Sequence, residues 1–393
     1  MLLAVVDTNF PFLLSGFRYW ENFAFHKIDD SILFFSVNKM SDPFPAEVHP
    51  LHSITKYPIT DIYCLFLNHT LGLLDCPLKI PGKQNYGLSG FIGKRNISIH
   101  TTIYAGGGYE DVTHLDQAMK GLKFLRDHPN VKSVFTNLSD VEKAIPEKSY
   151  RVAGLVDTRF FGYIPRARSD NLQLLFVANP PRTRAQKGLD FLIKAFNSLD
   201  PRKYHLHIVG DWKRELRGIK HENYTYHGTL TQYGLKEVLY KCHVIVNPAY
   251  KVSVPIHSRV ISNFGKYIPI RSRYIPRQEI YASVDTFPLA SSAEAMSTGC
   301  CLISTNHRHD HFALDPGKDY IEIREKSSED IAKAIEYLYQ NQDLMLSMAR
   351  RGHEKILKFL DARKIVAFKY GIIKGQSDEF QNSRAKNNSM RAR

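Results

Sequence analysis

The sequence predicts an α/β protein of two domains, the second built on a doubly wound parallel sheet, and three observations predict it. A chain of 393 residues is too long for one ordinary core, which makes two domains the natural arrangement. Its second half alternates apolar strand runs with amphipathic helical runs over short connections. Repeated βα units of this kind give a parallel sheet that binds ligands at the carboxyl ends of its strands. The third observation is the stretch Asp285-Thr-Phe-Pro-Leu-Ala-Ser-Ser-Ala-Glu294-Ala-Met-Ser-Thr-Gly299-Cys-Cys-Leu-Ile-Ser-Thr305. It reads as a loop, a short helix opening at Glu294, a glycine stop and a buried strand. Carboxylates beside a helix N-terminus suit a ligand with hydroxyls near the acids and anionic oxygens on nearby amides.

Along the first half, residues 2–6, 32–37, 62–67 and 97–100 read as strands, 116–125 as a helix and 133–136 as a late strand. The start, Met1-Leu-Leu-Ala-Val-Val-Asp7, has no basic flank and meets an acid at once, so it reads as a buried strand rather than a signal peptide. Pro165, Arg166 and Arg168 break the pattern and set a first domain at 1–165 and a second at 166–345. In the second, 174–178 is an apolar strand, and Leu189, Leu192, Ile193, Phe196 and Leu199 have helical spacing. A strand at 205–209 ends at Gly210-Asp211; a helix around 235–240 leads to a strand at 244–248. Ser327-Ser-Glu-Asp330 is a capping signal before an amphipathic helix carrying Ile331, Ile335 and Leu338. Residues 341–370 read as helical and basic. The tail, 374–393, carries Arg384, Lys386, Arg391 and Arg393 among Asn, Ser and Gln and is expected to be disordered.

Apolar content of 43% and charged content of 23% describe a globular protein, and no apolar run has the length to span a bilayer. Five cysteines without metal-like spacing read as reduced structural thiols, which points to the cytoplasm. The net charge of +14 fits nucleic acid, an anionic membrane surface or an anionic small substrate. No zinc-finger spacing, RNP-like aromatic motif or basic recognition helix accompanies it, so nucleic acid is not the expected partner.

The 285–305 stretch resembles the sugar-nucleotide signature of family 4 retaining glycosyltransferases, in which an acid, Phe-Gly or Phe-Pro, and Glu-Ala-Met precede a small residue and Gly. Further pieces are similar to that family in the right order. They are His100 on a strand, Gly154-Leu-Val-Asp157-Thr-Arg-Phe-Phe161, Arg182 before Lys187-Gly188, His207-Ile-Val-Gly-Asp211 and Val246-Asn-Pro-Ala249. The likeness covers roughly 97–370. It implies the GT-B fold, two Rossmann-like domains facing each other across a cleft, with a C-terminal helix, 346–373, that returns to the first domain.

The resemblance also implies the site. Arg182 and Lys187 would neutralise the donor diphosphate, with Arg184 as a substitute; a basic surface turn is the plain alternative. Glu294 would accept from the ribose hydroxyls, or cap its helix. Asp285 would touch the donor sugar, unless its spacing of eight rather than seven residues before Glu294 takes it out of reach. The amides of Phe287, Leu289 and Ala290 are candidates for sugar and phosphates; Pro288 has no N–H. Ser15-Gly16 would bring backbone close to the diphosphate, or be a plain turn, with Arg18 adding charge or pairing with Glu21. His100 would stand by the acceptor or transferred sugar, or be structural. Gly106-Gly107-Gly108 would allow close ligand approach or form a mobile loop. Residues 250–284, rich in Arg, Tyr, Ile and Pro, are an insert relative to the family and read as an acceptor- or membrane-touching basic element or as a solvated insertion.

The expected activity is transfer of a sugar from a UDP- or GDP-sugar to a glycan or lipid-linked acceptor, with retention, no cofactor and no required metal. No Asp-x-Asp motif is present. The basic surface suits peripheral contact with an anionic membrane. Two rivals stand beside it: a sugar-nucleotide epimerase, and a degenerate, non-catalytic carbohydrate-binding or scaffold protein of the same fold.

Overall fold

A computed structural model describes residues 1–14, 16–80, 82–105, 107–109, 115–178, 187–250, 252–255, 277–280, 287–306 and 313–376. The first sheet contains β1 (Leu3–Phe10), β2 (Leu33–Lys39), β3 (Val48–Pro50), β4 (Asp61–Leu65), β5 (Ser98–Ile103), β6 (Val131–Thr136) and β7 (Ser149–Arg151). Its order is β3-β2-β1-β4-β5-β6-β7 and every pair is parallel. The helices between them are α1 (Gly16–Ile28), α2 (Leu67–Leu73), α3 (Ser89–Lys94), α4 (Leu115–Asp127) and α5 (Ser139–Ala144).

The second sheet contains β8 (Leu172–Val177), β9 (Tyr204–Val209), β10 (Tyr224–Gly228), β11 (Val244–Asn247), β14 (Cys301–Ser304) and β15 (Ile321–Glu322). It runs β10-β9-β8-β11-β14-β15, again all parallel. Both orders reverse direction beside their first strand, the doubly wound pattern whose crevice lies at the strands' carboxyl ends. The helices here are α6 (Leu189–Phe196), α7 (Gln232–Leu239), α8 (Ala290–Ser297), α9 (Ser328–Gln340) and α10 (Gln342–Phe359). In the 250–284 region, β12 (Val252–Pro255) and β13 (Arg277–Ile280) pair antiparallel; its other residues from 256 to 276 and 281 to 284 lie outside the described ones.

Each sheet buries both faces, so its strands read as apolar runs rather than as alternation. One face of the first sheet (Ile62, Cys64, Ile99, Val134) packs on Leu71, Leu122 and Val141 of α2, α4 and α5. Its other face belongs to a core that crosses into the second domain. There Val5, Tyr63 and Phe135 meet Phe25 of α1 and Val366 of α11 (Ala362–Ile373), continuous with Leu239 of α7, Met296 of α8 and Leu302 of β14. The last helix among the described residues therefore lies on the first domain. α10 and α11 are separate because Asp361 caps the second, its carboxylate accepting from the amides of Arg363 and Lys364.

Two expectations need correction. The strand expected at 97–100 runs on through the β-branched Thr101, Thr102 and Ile103, so His100 does not end it. The helix bearing Glu294 begins at Ala290, so Glu294 is its fifth residue and does not cap its N-terminus. The sequence pattern assigns no element to residues 16–28, which form a helix whose Tyr19, Trp20, Glu21, Asn22, Ala24 and Phe25 are all buried. All five cysteines are buried and unpaired. Among the described residues no helix is long and apolar enough to cross a membrane.

Gly188 shows how tightly the second crevice is built. It stands before α6 at φ 73°, and a Cβ there would lie 2.0 Å from the Pro248 carbonyl oxygen at the end of β11. Gly188→Ala is expected to cost about 2–4 kcal/mol, from left-handed strain plus displacement of that carbonyl. This lowers the thermal midpoint by roughly 5–10 °C. An unchanged midpoint would refute the close approach.

Candidate functional site

The carboxyl ends of β8, β9, β11 and β14 gather around the start of α8. Ser291 Oγ donates to the Val177 carbonyl at 3.3 Å, Asn247 Nδ2 to Ser292 Oγ at 3.5 Å, and Trp212 Nε1 to the Ala178 carbonyl at 2.6 Å. The first two bonds fix the helix against the ends of β8 and β11. Leu289 is its N-cap in extended backbone, Ala290 its first residue, and Phe287 packs its ring 4.9 Å from that of Tyr320. Lys187 precedes Gly188 at the entrance to α6, on the same side of the sheet.

Glu294 is the chemically distinctive group. It projects from the middle of α8 with 5% of its surface exposed, and its carboxyl has no hydrogen-bond or ion-pair partner among the described residues. Burial alone pushes its pKa up to about 8. A buried carboxyl without donors costs stability, and groups with donating hydroxyls would relieve that cost.

The facing wall comes from the first domain. Gly16, the first residue of α1, abuts the Gln232 side chain at the start of α7, whose Oε1 also accepts from Trp20 Nε1 at 3.3 Å. The Arg18 guanidinium pairs with buried Asp7 rather than with Glu21, reaches Thr8 Oγ1 at 3.2 Å and lies 5.4 Å over the Phe66 ring. Burial lowers its pKa to about 10. On α2, just past β4, His69 is buried beside Arg18, and burial first, then the Arg18 charge, holds its imidazole near pKa 3, hence neutral.

The expected site residues therefore divide. Lys187, Phe287, Leu289, Ala290 and Glu294 all lie at the carboxyl edge of the second sheet, before or on α6 and α8, and Gly16 of the first domain meets the second at Gln232. Ser15, Arg182, Arg184, Asp285 and Gly106 lie outside the described residues. His100 stands apart. It is buried on β5, its Nδ1 2.7 Å from Ser133 Oγ and its Nε2 3.2 Å from Asp61 Oδ1, and Asp61 is the first residue of β4. That is the amino end of the parallel sheet, opposite the crevice, and both ring nitrogens are engaged, so the position expected for His100 is corrected to a structural one. The sequence pattern does not single out Asp7 and His69, which lie beside Arg18. Their signals were an acid closing an apolar run, Val5-Val6-Asp7, and a polar pair, Asn68-His69, just after a strand.

Residues 171–258 match the family model described as Glycosyl transferases group 1. Among solved structures, Anabaena HepE in complex with UDP and glucose aligns with a TM-score of 0.63 at 13% identity, covering 96% of this chain and 100% of that one. Sucrose-phosphate synthase from Thermosynechococcus elongatus aligns with a TM-score of 0.62 at 13% identity, over 96% of this chain and 99% of the other. WaaG, a glycosyltransferase involved in lipopolysaccharide biosynthesis, gives 0.57 at 13%, over 95% and 100%. The chain has the GT-B fold. No curated protein sequence matches it.

Proposed function

We propose that the protein is a nucleotide-sugar-dependent glycosyltransferase that moves a hexose to a glycan or lipid-linked acceptor with retention of configuration. The observation that carries this reading is the buried Glu294 carboxyl, without a hydrogen-bond or ion-pair partner among the described residues, on the helix at the carboxyl edge of a doubly wound sheet. A ribose offers two adjacent hydroxyls, the donors that this group lacks. The HepE structure that shares the fold holds UDP and glucose, which supports a uridine donor here.

In this reading the chain's residues divide the work. Glu294 orients the nucleoside. Lys187, with Arg182 and Arg184, meets the diphosphate whose charge grows as the bond to the sugar's anomeric carbon breaks, so it acts most strongly in the transition state. Amides at Phe287, Leu289 and Ala290, and the Ser15-Gly16 backbone, supply further donors. Asp285 serves the donor sugar. The acceptor hydroxyl forms the new bond to the anomeric carbon, and its proton leaves with the nucleoside diphosphate or to water. No metal is required in this scheme, because fixed cations carry the compensating charge. The +14 chain suits an acceptor at an anionic membrane face, and the lipopolysaccharide role of WaaG agrees with that acceptor class.

The test is release of nucleoside diphosphate from UDP-glucose, other UDP-sugars and GDP-sugars, first without acceptor and then with lipid-linked glycans. Slow release that rises on adding one acceptor supports transfer. Conversion of the donor sugar without release would favour an epimerase.

A further inference from the structure

The only lysine among the described residues with no exposed surface is Lys369, on α11. Its ammonium contacts the Glu21 carboxylate of α1, also fully buried, and lies 2.9 Å from Thr102 Oγ1, 3.1 Å from Tyr104 OH and 3.1 Å from Tyr63 OH. The two tyrosine hydroxyls donate to the same carboxylate, Tyr104 to Oε2 at 3.4 Å and Tyr63 to Oε1. A buried ion pair is a poor source of stability, since desolvation offsets its attraction, but it admits very few geometries. Here it fixes α11, α1, β4, β5 and Tyr104 in one register.

Tyr104 is the first residue past β5, where the chain enters the crevice wall. Its ring packs edge-on against Phe17 at 5.5 Å, and Phe17 against Phe66 at 6.0 Å. Phe66 sits at φ 74° and backs onto Gly107, where a Cβ would lie 2.3 Å from its own Cβ; the Gly107 carbonyl accepts from the Asn68 amide at 2.9 Å. At its other end α11 follows α10, which holds the Glu294 helix: His353 Nδ1 donates to the Ser297 carbonyl at 2.8 Å, and Gly352 abuts Met296.

We infer that Lys369 is a positioning residue through which the C-terminal helices fix the first domain's crevice wall, by way of Tyr104, relative to the helix that carries Glu294. Its part in turnover rests on the glycosyltransfer reading; its part in fixing the wall does not.

Tyr104→Phe removes one hydroxyl and keeps the ring, and the double variant Lys369→Met with Glu21→Gln removes the ion pair without stranding a charge. Amide exchange at Asn68 reports whether the wall is held. In both variants it is expected to quicken about tenfold, the size of one lost buried hydrogen bond, while Ile62 and Val134 amides in the sheet keep their wild-type rates. Equal acceleration at all three sites, or none at Asn68, would overturn the inference. With UDP-glucose, kcat is expected to fall several-fold at unchanged donor KM. A wild-type protein that turns over no donor would refute the proposed function, and the exchange at Asn68 would still decide the role of Lys369.

Discussion

Replacing Glu294 by alanine is expected to weaken binding of the preferred nucleoside diphosphate about 10- to 100-fold, the value of one or two hydrogen bonds to a charged acceptor. The same residue should limit the stability of the empty protein, and the sign follows from its pKa. Folding raises the carboxyl from 4.5 to about 8, so the folded state binds the proton more tightly than the unfolded chain. That contribution is complete below pH 4.5 and is lost as pH rises through 8. The shift corresponds to roughly 3–5 kcal/mol at pH 9. Glu294→Gln should therefore melt close to wild type at pH 5 and increasingly above it toward pH 9, while binding nucleotide less well. Thermal melts of the two proteins across that range check it; a constant difference would mean the carboxyl is not desolvated. A residue that lowers stability when the site is empty and raises affinity when it is filled has the signature of a ligand-binding group.

Loss of the Lys187 ammonium is expected to cost more in turnover than in binding. Lys187→Ala should lower kcat by the equivalent of about 2–4 kcal/mol, some 30- to 1,000-fold, because the charge on the leaving diphosphate is largest in the transition state. Donor KM should change little by comparison. The side chain is carried at the entrance to α6 by a glycine whose conformation and contact with Pro248 leave no room for drift. Release of nucleoside diphosphate under saturating donor is the measurement. Turnover equal to wild type would remove Lys187 from the reaction.

The second domain was the more legible half because its strands are buried on both faces and its helices have one apolar side each. Leu174, Phe176, Leu206, Ile208, Val244 and Ile303 all meet one core, and Ile331, Ile335 and Leu338 answer them from α9. Short edge strands such as β3, β7 and β15, two or three residues each, carry too little pattern to read. The helix α1 escaped because it is wedged among a sheet, α11 and α7, so its apolar residues do not form one stripe. The Glu-Ala-Met motif singled out Glu294 as a candidate, but Ala290-Ser-Ser-Ala gives a weak helix signal, which hid the true start of its helix. His100 misled because its strand continues for three more residues, and that moves it to the wrong edge of the sheet. The Lys369–Glu21 pair joins residues 348 positions apart, and no local pattern announces such a contact.

Titration of the purified protein with UDP, GDP and ADP, in wild type and Glu294→Ala, followed by the thermal midpoint, bears on the central claim that the buried carboxyl receives a nucleoside. Marked stabilisation of the wild type by one of the three, reduced in the variant, is the predicted result. No stabilisation by any of them, or equal stabilisation of both proteins, would contradict it; the first outcome would shift the reading to a non-catalytic protein built on the same fold.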